Sequence, residues 1–479
     1  MTLPKNKTKI VCTVGPASES QLAMEKMLLA GMNVARLNFS HGDFESHKKV
    51  IRNLRAASKA VERRVAIMAD LPGPKIRIGQ LEEEPIELES GDTLILTTEE
   101  MTGNRHRVSV SFSRLPQVVK PGDTLFLNDG YIQLQVKKTA RNDVHCQVLA
   151  GGDLRSRNGL NLPGIDLGIP AFTDRDHECL KFALKQGVDA VSQSFVETEK
   201  DIDAVRRAAK ALGHTPFIIA KIERSKAKDN LERILDAADG IMIARGDLGV
   251  EIPIEQIALA QKHLMHVANL KGKPVITATQ MLESMTTHLR PTRAEATDVA
   301  NAILDGTDCV MLSAESAMGK YPVDAVAMLA KIASTIEPHQ PSLRVREILK
   351  EARDEGKVSL TDLIASSVEA TVARAIPSLV IVPTQSGVTA RSIARYRLPV
   401  WIAGVSSQEA TCQRLQFTYG VYPVHEPDHP EDWKPFARDF LQAQRVEGQL
   451  VILTEGPSSK HPEANNRMEL IDLKPRNME

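Results

Sequence analysis

Short apolar runs alternate with amphipathic stretches along most of this chain. The runs are TKIVCTVG (8–15), NVARLNFS (33–40), VAIMADL (65–71), AVSQSF (190–195), FIIAKIE (217–223), GIMIARGDLG (240–249), PVITATQ (274–280) and CVMLSAES (309–316). They are rich in Val, Ile and Ala and apolar at successive positions, as parallel strands buried on both faces are. The stretches between them, such as SHKKVIRNLRAASKAV, carry the helical period. Eight such strand–helix units predict an α/β fold of the (β/α)8 TIM-barrel type. A doubly wound open sheet is the competing architecture, and periodicity alone does not separate the two.

The alternation breaks after the third run and resumes near residue 173. In between, IELESGDTLILTT, HRVSVSFSRL, PGDTLFLNDG and YIQLQVKK alternate polar and apolar positions, with Gly-Asp and Asn-Asp-Gly at the turns. This predicts a small all-β domain at 72–165, inserted between barrel segments 1–71 and 166–337. Hung over the C-terminal face of a barrel, it suits a lid. The segment EPHQPSLR after Ile336 reads as a linker, and 338–479 alternates helix and strand again as a third, α/β domain.

Composition adds exclusions. Lys+Arg total 60 and Asp+Glu 61, so no global field draws in nucleic acid or an anionic membrane. The five cysteines are scattered and form no C-x-x-C pair, which argues for buried thiols rather than disulfides or structural zinc. No apolar run is long enough to span a membrane, and the cytoplasm is the expected location.

The candidate chemistry lies where the barrel runs end. The second ends Arg36-Leu37-Asn38-Phe39-Ser40-His41, the third at Asp70, the fifth Lys221-Ile222-Glu223 and the sixth Arg245-Gly246-Asp247; Thr279 and Gln280 end the seventh, Ser313 and Glu315 the eighth. Barrel enzymes build their active sites on that face. Glu223 and Asp247 come from neighbouring strands, and two carboxylates suit Mg²⁺ with substrate oxygens and water completing its shell. Mn²⁺ suits the same oxygens. Lys221 lies two residues before Glu223 and so shares its side of the strand. A lysine there can stabilise a transferring phosphoryl group; the bland alternative is a structural Lys–Glu pair. Arg36 offers a planar fork to phosphate oxygens. Asp247 is expected to cap a short helix starting at the Gly246-Asp247 turn, whose free N–H groups bind an anion. No Walker A motif and no protein-kinase motif set is found.

Long strings in this order, TKIVCTVGPAS, NVARLNFSHG, DLPGPKIR, GLNLPG, AKIER, IARGDLGVEIP, ITATQMLESM, PTRAEATDVANAILDGTDCVMLSAESAMGKYP and TQSGVTARSIARYR, closely resemble the pyruvate kinase family. The resemblance implies a Mg²⁺-dependent phosphotransferase acting on phosphoenolpyruvate and ADP to give pyruvate and ATP. It also implies a barrel, a lid, a C-terminal regulatory domain and a homotetramer. Carried over, Arg36 contacts the transferred phosphoryl group and Lys221 stabilises the transition state and enolate. Glu223 and Asp247 hold Mg²⁺, and the Gly246 and Asp247 backbone receives the pyruvate carboxylate. Thr279 completes that site near the face where enolpyruvate is protonated. Asn38, Ser40, Asp70 and the carbonyl of Leu71 match a monovalent cation site. Asn38, Phe39, Ser40, His41 and Arg77 match the nucleotide site. Ser313 and Glu315 are assigned only support.

Three positions depart from the family pattern. Lys75 in DLPGPKIR stands where potassium-dependent members carry Glu, so K⁺ is expected to be unnecessary, the ammonium supplying its charge. Asn158 stands where many relatives have a nucleotide-contacting Lys, and Arg157 is the candidate to take over that charge. Thr384, Gln385, Ser386, Gly387, Val388 and Thr389 resemble the loop that holds a sugar-phosphate effector. The later loop GPSSKHPEANNRM lacks the Trp and Arg pattern of bisphosphate-activated animal forms, so a monophosphate or nucleotide effector is expected. Two rival readings are another Mg²⁺-dependent barrel enzyme acting on pyruvate enolate and an inactive sugar-phosphate sensor. The second sits badly with the presence of Lys221, Glu223, Asp247 and Thr279 together.

Overall fold

A computed structural model describes residues 2–340, 358–456 and 465–474. Eight parallel strands form the centre: β1 (Lys9–Thr13), β2 (Met32–Asn38), β3 (Ala66–Leu71), β4 (Ala190–Gln193), β5 (Phe217–Ile222), β6 (Gly240–Ala244), β7 (Val275–Ala278) and β8 (Cys309–Leu312). Each strand pairs with its neighbours in sequence, and β1 closes on β8 through Lys9 to Cys12 against Cys309 to Leu312. Closure excludes the open-sheet alternative. Every residue of β1, β3, β4, β5, β6, β7 and β8 is buried, which explains why these runs lack the alternation of a half-exposed strand.

Several of the connecting helices begin at side-chain caps. Asp43 accepts from Ser46 N ahead of Phe44–Ala60, and Thr173 from Asp176 N ahead of Asp174–Lys185. Their apolar stripes bury against the outer face of the barrel. The inner face is filled by Val11, Val34, Met68, Phe217, Met242, Met311 and their neighbours. Phe417, from the third domain, belongs to this inner cluster and stacks on Phe217 at 5.4 Å. The barrel is a packed core, not a pore.

Between β3 and β4 lies a six-stranded, mostly antiparallel sheet with its own apolar cluster. In its strand Ile132–Thr139, Ile132, Leu134 and Val136 are buried while Gln133 and Gln135 are not, the alternation of a one-sided sheet. The chain returning from it is held to the barrel by Arg224, which donates to Ile165 O (2.7 Å) and to Glu251 Oε1 (2.9 Å).

The C-terminal domain is a five-stranded sheet of β9 (Leu379–Pro383), β10 (Trp401–Ser406), β11 (Val421–His425), β12 (Leu450–Glu455) and β13 (Arg467–Asp472), in the order β11-β10-β9-β12-β13. Sequence reasoning missed β11, because Pro423 interrupts its apolar run; β11 is an edge strand, where proline is tolerated. Part of the EPHQPSLR linker and most of the GPSSKHPEANNRM loop lie outside the described residues. The five cysteines are buried and free. No helix among the described residues is long and apolar enough to cross a membrane.

Lys9 joins the foot of the barrel to the C-terminal domain. Only 3% exposed, its Nζ donates to Val421 O at 2.6 Å and lies 5.3 Å from the Trp401 ring centroid. Burial pushes the ammonium down from 10.5 to about 8, against smaller opposing pulls from Cys309, Glu337 and Asp308. The unfolded chain therefore holds this proton more tightly, so stability rises with pH between about 8 and 10.5. The contribution is on the order of 3 kcal/mol. In Lys9→Met, thermal melts across that window are expected to lack this rise.

Candidate active site

The apolar filling of the barrel becomes polar towards the C-terminal ends of the strands. Side chains two apart share one face of a strand. On β1, Val11 is followed by Thr13; on β2, Val34 by Arg36; on β3, Met68 by Asp70; on β4, Ala190 by Ser192 and Ser194; on β5, Ile219 by Lys221 and Glu223. One inward-facing series thus runs from packed core into a charged top layer.

Asp70, 2% exposed, is its hub. Its Oδ2 accepts from Arg36 Nε at 2.8 Å, from Arg36 Nη2, and from Lys221 Nζ at 3.4 Å. Its Oδ1 accepts from Ser192 Oγ at 2.7 Å. Burial works against the Asp70 charge, but Arg36, Lys221 and the Ser192 hydroxyl hold the carboxyl below its ordinary value. Arg36 Nη1 donates to Thr13 Oγ1 at 2.9 Å, so the guanidinium that sequence reasoning aimed at phosphate is already anchored on two sides.

Lys221 Nζ reaches Ser194 Oγ at 2.7 Å and Glu223 Oε1 at 2.8 Å. Burial pulls the ammonium down, yet Asp70 and Glu223 raise it above its ordinary value overall, so it is charged at neutral pH. Glu223 Oε2 accepts from Phe195 N at 2.7 Å, at a residue with φ of +58°. Burial pushes the Glu223 carboxyl up, Lys221 opposes this and the nearby Asp247 charge adds to it. A buried Glu223 carboxylate and a half-buried Asp247 carboxylate that repel one another fit a divalent cation such as Mg²⁺. Glu223 and Asp247 could hold such an ion between them.

The structure corrects the expected role of Asp247 as a helix cap. The helix runs Arg245–Glu251, Ala244 is its N-cap, and no side chain caps it; Asp247 lies within the first turn. The chain turns helical immediately after β6, earlier than the Gly-Asp pair suggests. The N–H of Gly246 is also engaged, donating to Thr279 Oγ1 at 2.7 Å. Asp247 N–H remains among the first-turn donors that have no partner within the helix. Thr279 and Gln280 adopt φ of +71° and +53°, a region costly for a β-branched residue and typical of functional sites. Arg245 holds this turn, donating to Thr279 O at 2.8 Å and to Asp298 Oδ1 at 2.7 Å. Glu315, fully buried, accepts from Leu282 N and Ser313 N and ties the ends of β7 and β8 together.

The loop after β2 carries His41 into a cationic mouth. Partial burial, then the charges of Arg77, Lys75 and Arg36, lower the His41 imidazole below its ordinary value. Lys75 is exposed. Asn38 Oδ1 accepts from Ser40 N at 3.1 Å, and Leu71 ends β3 beside Asp70. The Phe39 ring is buried and stacks on His47 at 4.3 Å. Arg77 Nη1 donates to the Arg157 carbonyl at 2.9 Å. Asn158 is occupied in holding its own turn, its Oδ1 accepting from Arg155 N at 2.7 Å.

In the C-terminal domain, Thr384 follows β9 and its Oγ1 accepts from Gly387 N at 2.9 Å. Gly387, with φ of +80°, caps the helix Val388–Ala394 that includes Thr389. Gln385 O accepts from Thr411 Oγ1 and Ser386 O from Arg391 Nη2, so the loop is a tied turn between strand and helix.

Sequence reasoning missed Thr13, Ser192 and Ser194, and gave Arg245 only as part of a strand end. The inward series on β1 and β4 was the signal available, since Ala190, Ser192 and Ser194 repeat the apolar-to-polar change seen on β5.

Comparison with known proteins agrees with this geometry. The family model described as the pyruvate kinase barrel domain matches residues 5–326, and that of the pyruvate kinase alpha/beta domain matches 362–471. A pyruvate kinase of Thermococcus litoralis is 44% identical over 99% of this chain and 100% of its own length. One from Geobacillus stearothermophilus is 43% identical over 94% of this chain and 78% of its own. A crystal structure of a pyruvate kinase from Cryptosporidium parvum superposes with a TM-score of 0.89 at 37% identity, covering 98% of this chain and 97% of that one. With a closed barrel, a polar layer on one of its faces and relatives matched along nearly the whole length, the chain belongs to the pyruvate kinase family, Mg²⁺-dependent enzymes that transfer the phosphoryl group of phosphoenolpyruvate to ADP.

Proposed function

We propose that the polar layer at the top of the barrel carries this phosphoryl transfer, with Lys221 and Arg36 as its principal charges. The observation behind this is their shared hub: two cations converge on Asp70 Oδ2, and Lys221 also pairs with Glu223 and feels the Asp247 charge. Phosphoryl transfer asks a protein for positioning and charge stabilisation more than for covalent chemistry. Of the five N–H bonds of Arg36, three are spent on Asp70 and Thr13, which leaves two for oxygens of the moving group. Lys221, charged at neutral pH, acts as a stabiliser of negative charge rather than as a base. Glu223 and Asp247 hold Mg²⁺, which supplies further positive charge to substrate oxygens when bound. The Asp247 N–H receives the pyruvate carboxylate, and Gly246 N–H joins it when Thr279 Oγ1 yields its bond. The enolate is protonated by solvent on the Thr279 side.

His41, Arg77, Asn38 and Ser40 are assigned to the nucleotide. The segment 72–165 closes over it as a lid and excludes water. Lys75, adding to the same positive mouth, takes the place of K⁺. Pyruvate formation from phosphoenolpyruvate, ADP and Mg²⁺ is expected to proceed at the same rate when K⁺ is replaced by a large organic cation. Loss of the rate in that exchange contradicts the role of Lys75. Chelation of the divalent ion is expected to abolish turnover in either salt, and undiminished turnover contradicts the role of Glu223 and Asp247.

Residues Thr384 to Thr389 are assigned to a monophosphate or nucleotide effector, bound through hydroxyls and backbone N–H groups. Calorimetry with a sugar monophosphate and with a nucleoside monophosphate tests this, and heat from neither rejects it. A homotetramer in the cytoplasm completes the reading, and light scattering on the purified chain checks its mass.

A further inference from the structure

We infer that Ser192 is a positioning residue for phosphoryl transfer, fixing the rotation of the Asp70 carboxylate and through it the two cations. The inference rests on the proposed roles of Arg36 and Lys221.

Ser192 lies mid-strand on β4, level with Asp70 on β3, and is fully buried. Its strand neighbour on the other side is Ile219, which brings no polar side chain to the hydroxyl. The single hydroxyl proton goes to Asp70 Oδ1 at 2.7 Å. The other oxygen, Oδ2, is shared between Arg36 and Lys221. The two oxygens therefore do separate work, one pinned and one holding cations. The carboxylate torsion of an Asp is broad and nearly two-fold, so packing alone sets it poorly. The Ser192 bond selects one setting.

That setting matters unequally for the two cations. The contacts of Lys221 to Ser194 and Glu223 are short, at 2.7 and 2.8 Å, while the contact to Asp70 is long at 3.4 Å. The long one is the weakest of the three and the one most readily given up to a substrate oxygen. Freed from Ser192, the carboxylate can turn towards Lys221 and tighten that bond, or turn from Arg36 and let the guanidinium drift. Either change misplaces a charge by a fraction of an ångström to an ångström, enough to cost about tenfold to a hundredfold in rate. The competing possibility is that Ser192 is merely a satisfied core hydroxyl, which would matter for stability and not for turnover.

The test is a double-mutant cycle on the full-length enzyme, with kcat and KM for phosphoenolpyruvate measured for wild type, Ser192→Ala, Asp70→Asn and the double variant. Ser192→Ala is expected to lose about tenfold or more in kcat, with a much smaller change in KM. In the Asp70→Asn background the same change is expected to cost less than about twofold, because the two residues act as one unit. Ser192→Thr, which keeps the hydroxyl, is expected to restore most of the rate. Ser192→Cys, which keeps the volume but donates weakly, serves in place of the alanine variant if that one fails to fold. A folded Ser192→Ala within twofold of wild-type kcat overturns the inference, as does an equal loss with and without Asp70. A wild type without turnover overturns the phosphoryl-transfer assignment and this inference together, whereas an active wild type with an indifferent Ser192 overturns this inference alone.

Discussion

Replacing Lys221 by Met is expected to lower kcat by roughly 10³ or more while leaving the protein folded. The ammonium is held charged by Asp70 and Glu223 despite its burial, so its cation is present whenever substrate binds. Methionine keeps most of the side-chain length and none of the charge. The loss should appear in kcat and kcat/KM together, since the charge is needed most where the phosphoryl group is in flight. Steady-state kinetics with phosphoenolpyruvate and ADP checks this, and a loss below tenfold contradicts the assignment.

Asp70→Ala is expected to give the largest stability change, about 3–5 kcal/mol, the usual result of removing one partner from a buried ion pair. Two cations, each 9% exposed, would then face one another without their shared carboxylate. The sign of the pH dependence follows. The folded Asp70 carboxyl titrates below its ordinary value, so its contribution is fully present above the unfolded value of 3.8 and is lost as pH falls through the lower folded value. Denaturant melts at neutral and acid pH should show the gap between wild type and variant narrowing only at the acid end. An equal gap at both contradicts the ion-pair account.

Much of this architecture was legible because it rests on local patterning. Eight both-face-buried runs, a stretch of strict alternation at 72–165 and the capped helices between the strands all follow from side-chain periodicity. That Lys221 and Glu223 share one side of their strand was legible for the same reason, since they lie two residues apart. What escaped depends on the register between strands. That Ser192 lies level with Asp70, or that Thr279 Oγ1 takes the Gly246 N–H, is set by the stagger of neighbouring strands and not by spacing along one of them. The Asp247 cap failed because tertiary contacts drew the helix start back to Arg245, where the side chain bonds the Thr279 turn.

The most direct test is to follow the phosphorus of phosphoenolpyruvate by NMR while the enzyme turns over with ADP and Mg²⁺. The account predicts that the signal moves to the γ-position of ATP in step with pyruvate formation, and that Lys221→Met slows both alike. Phosphorus appearing as free phosphate, or pyruvate formed without ATP, would contradict it.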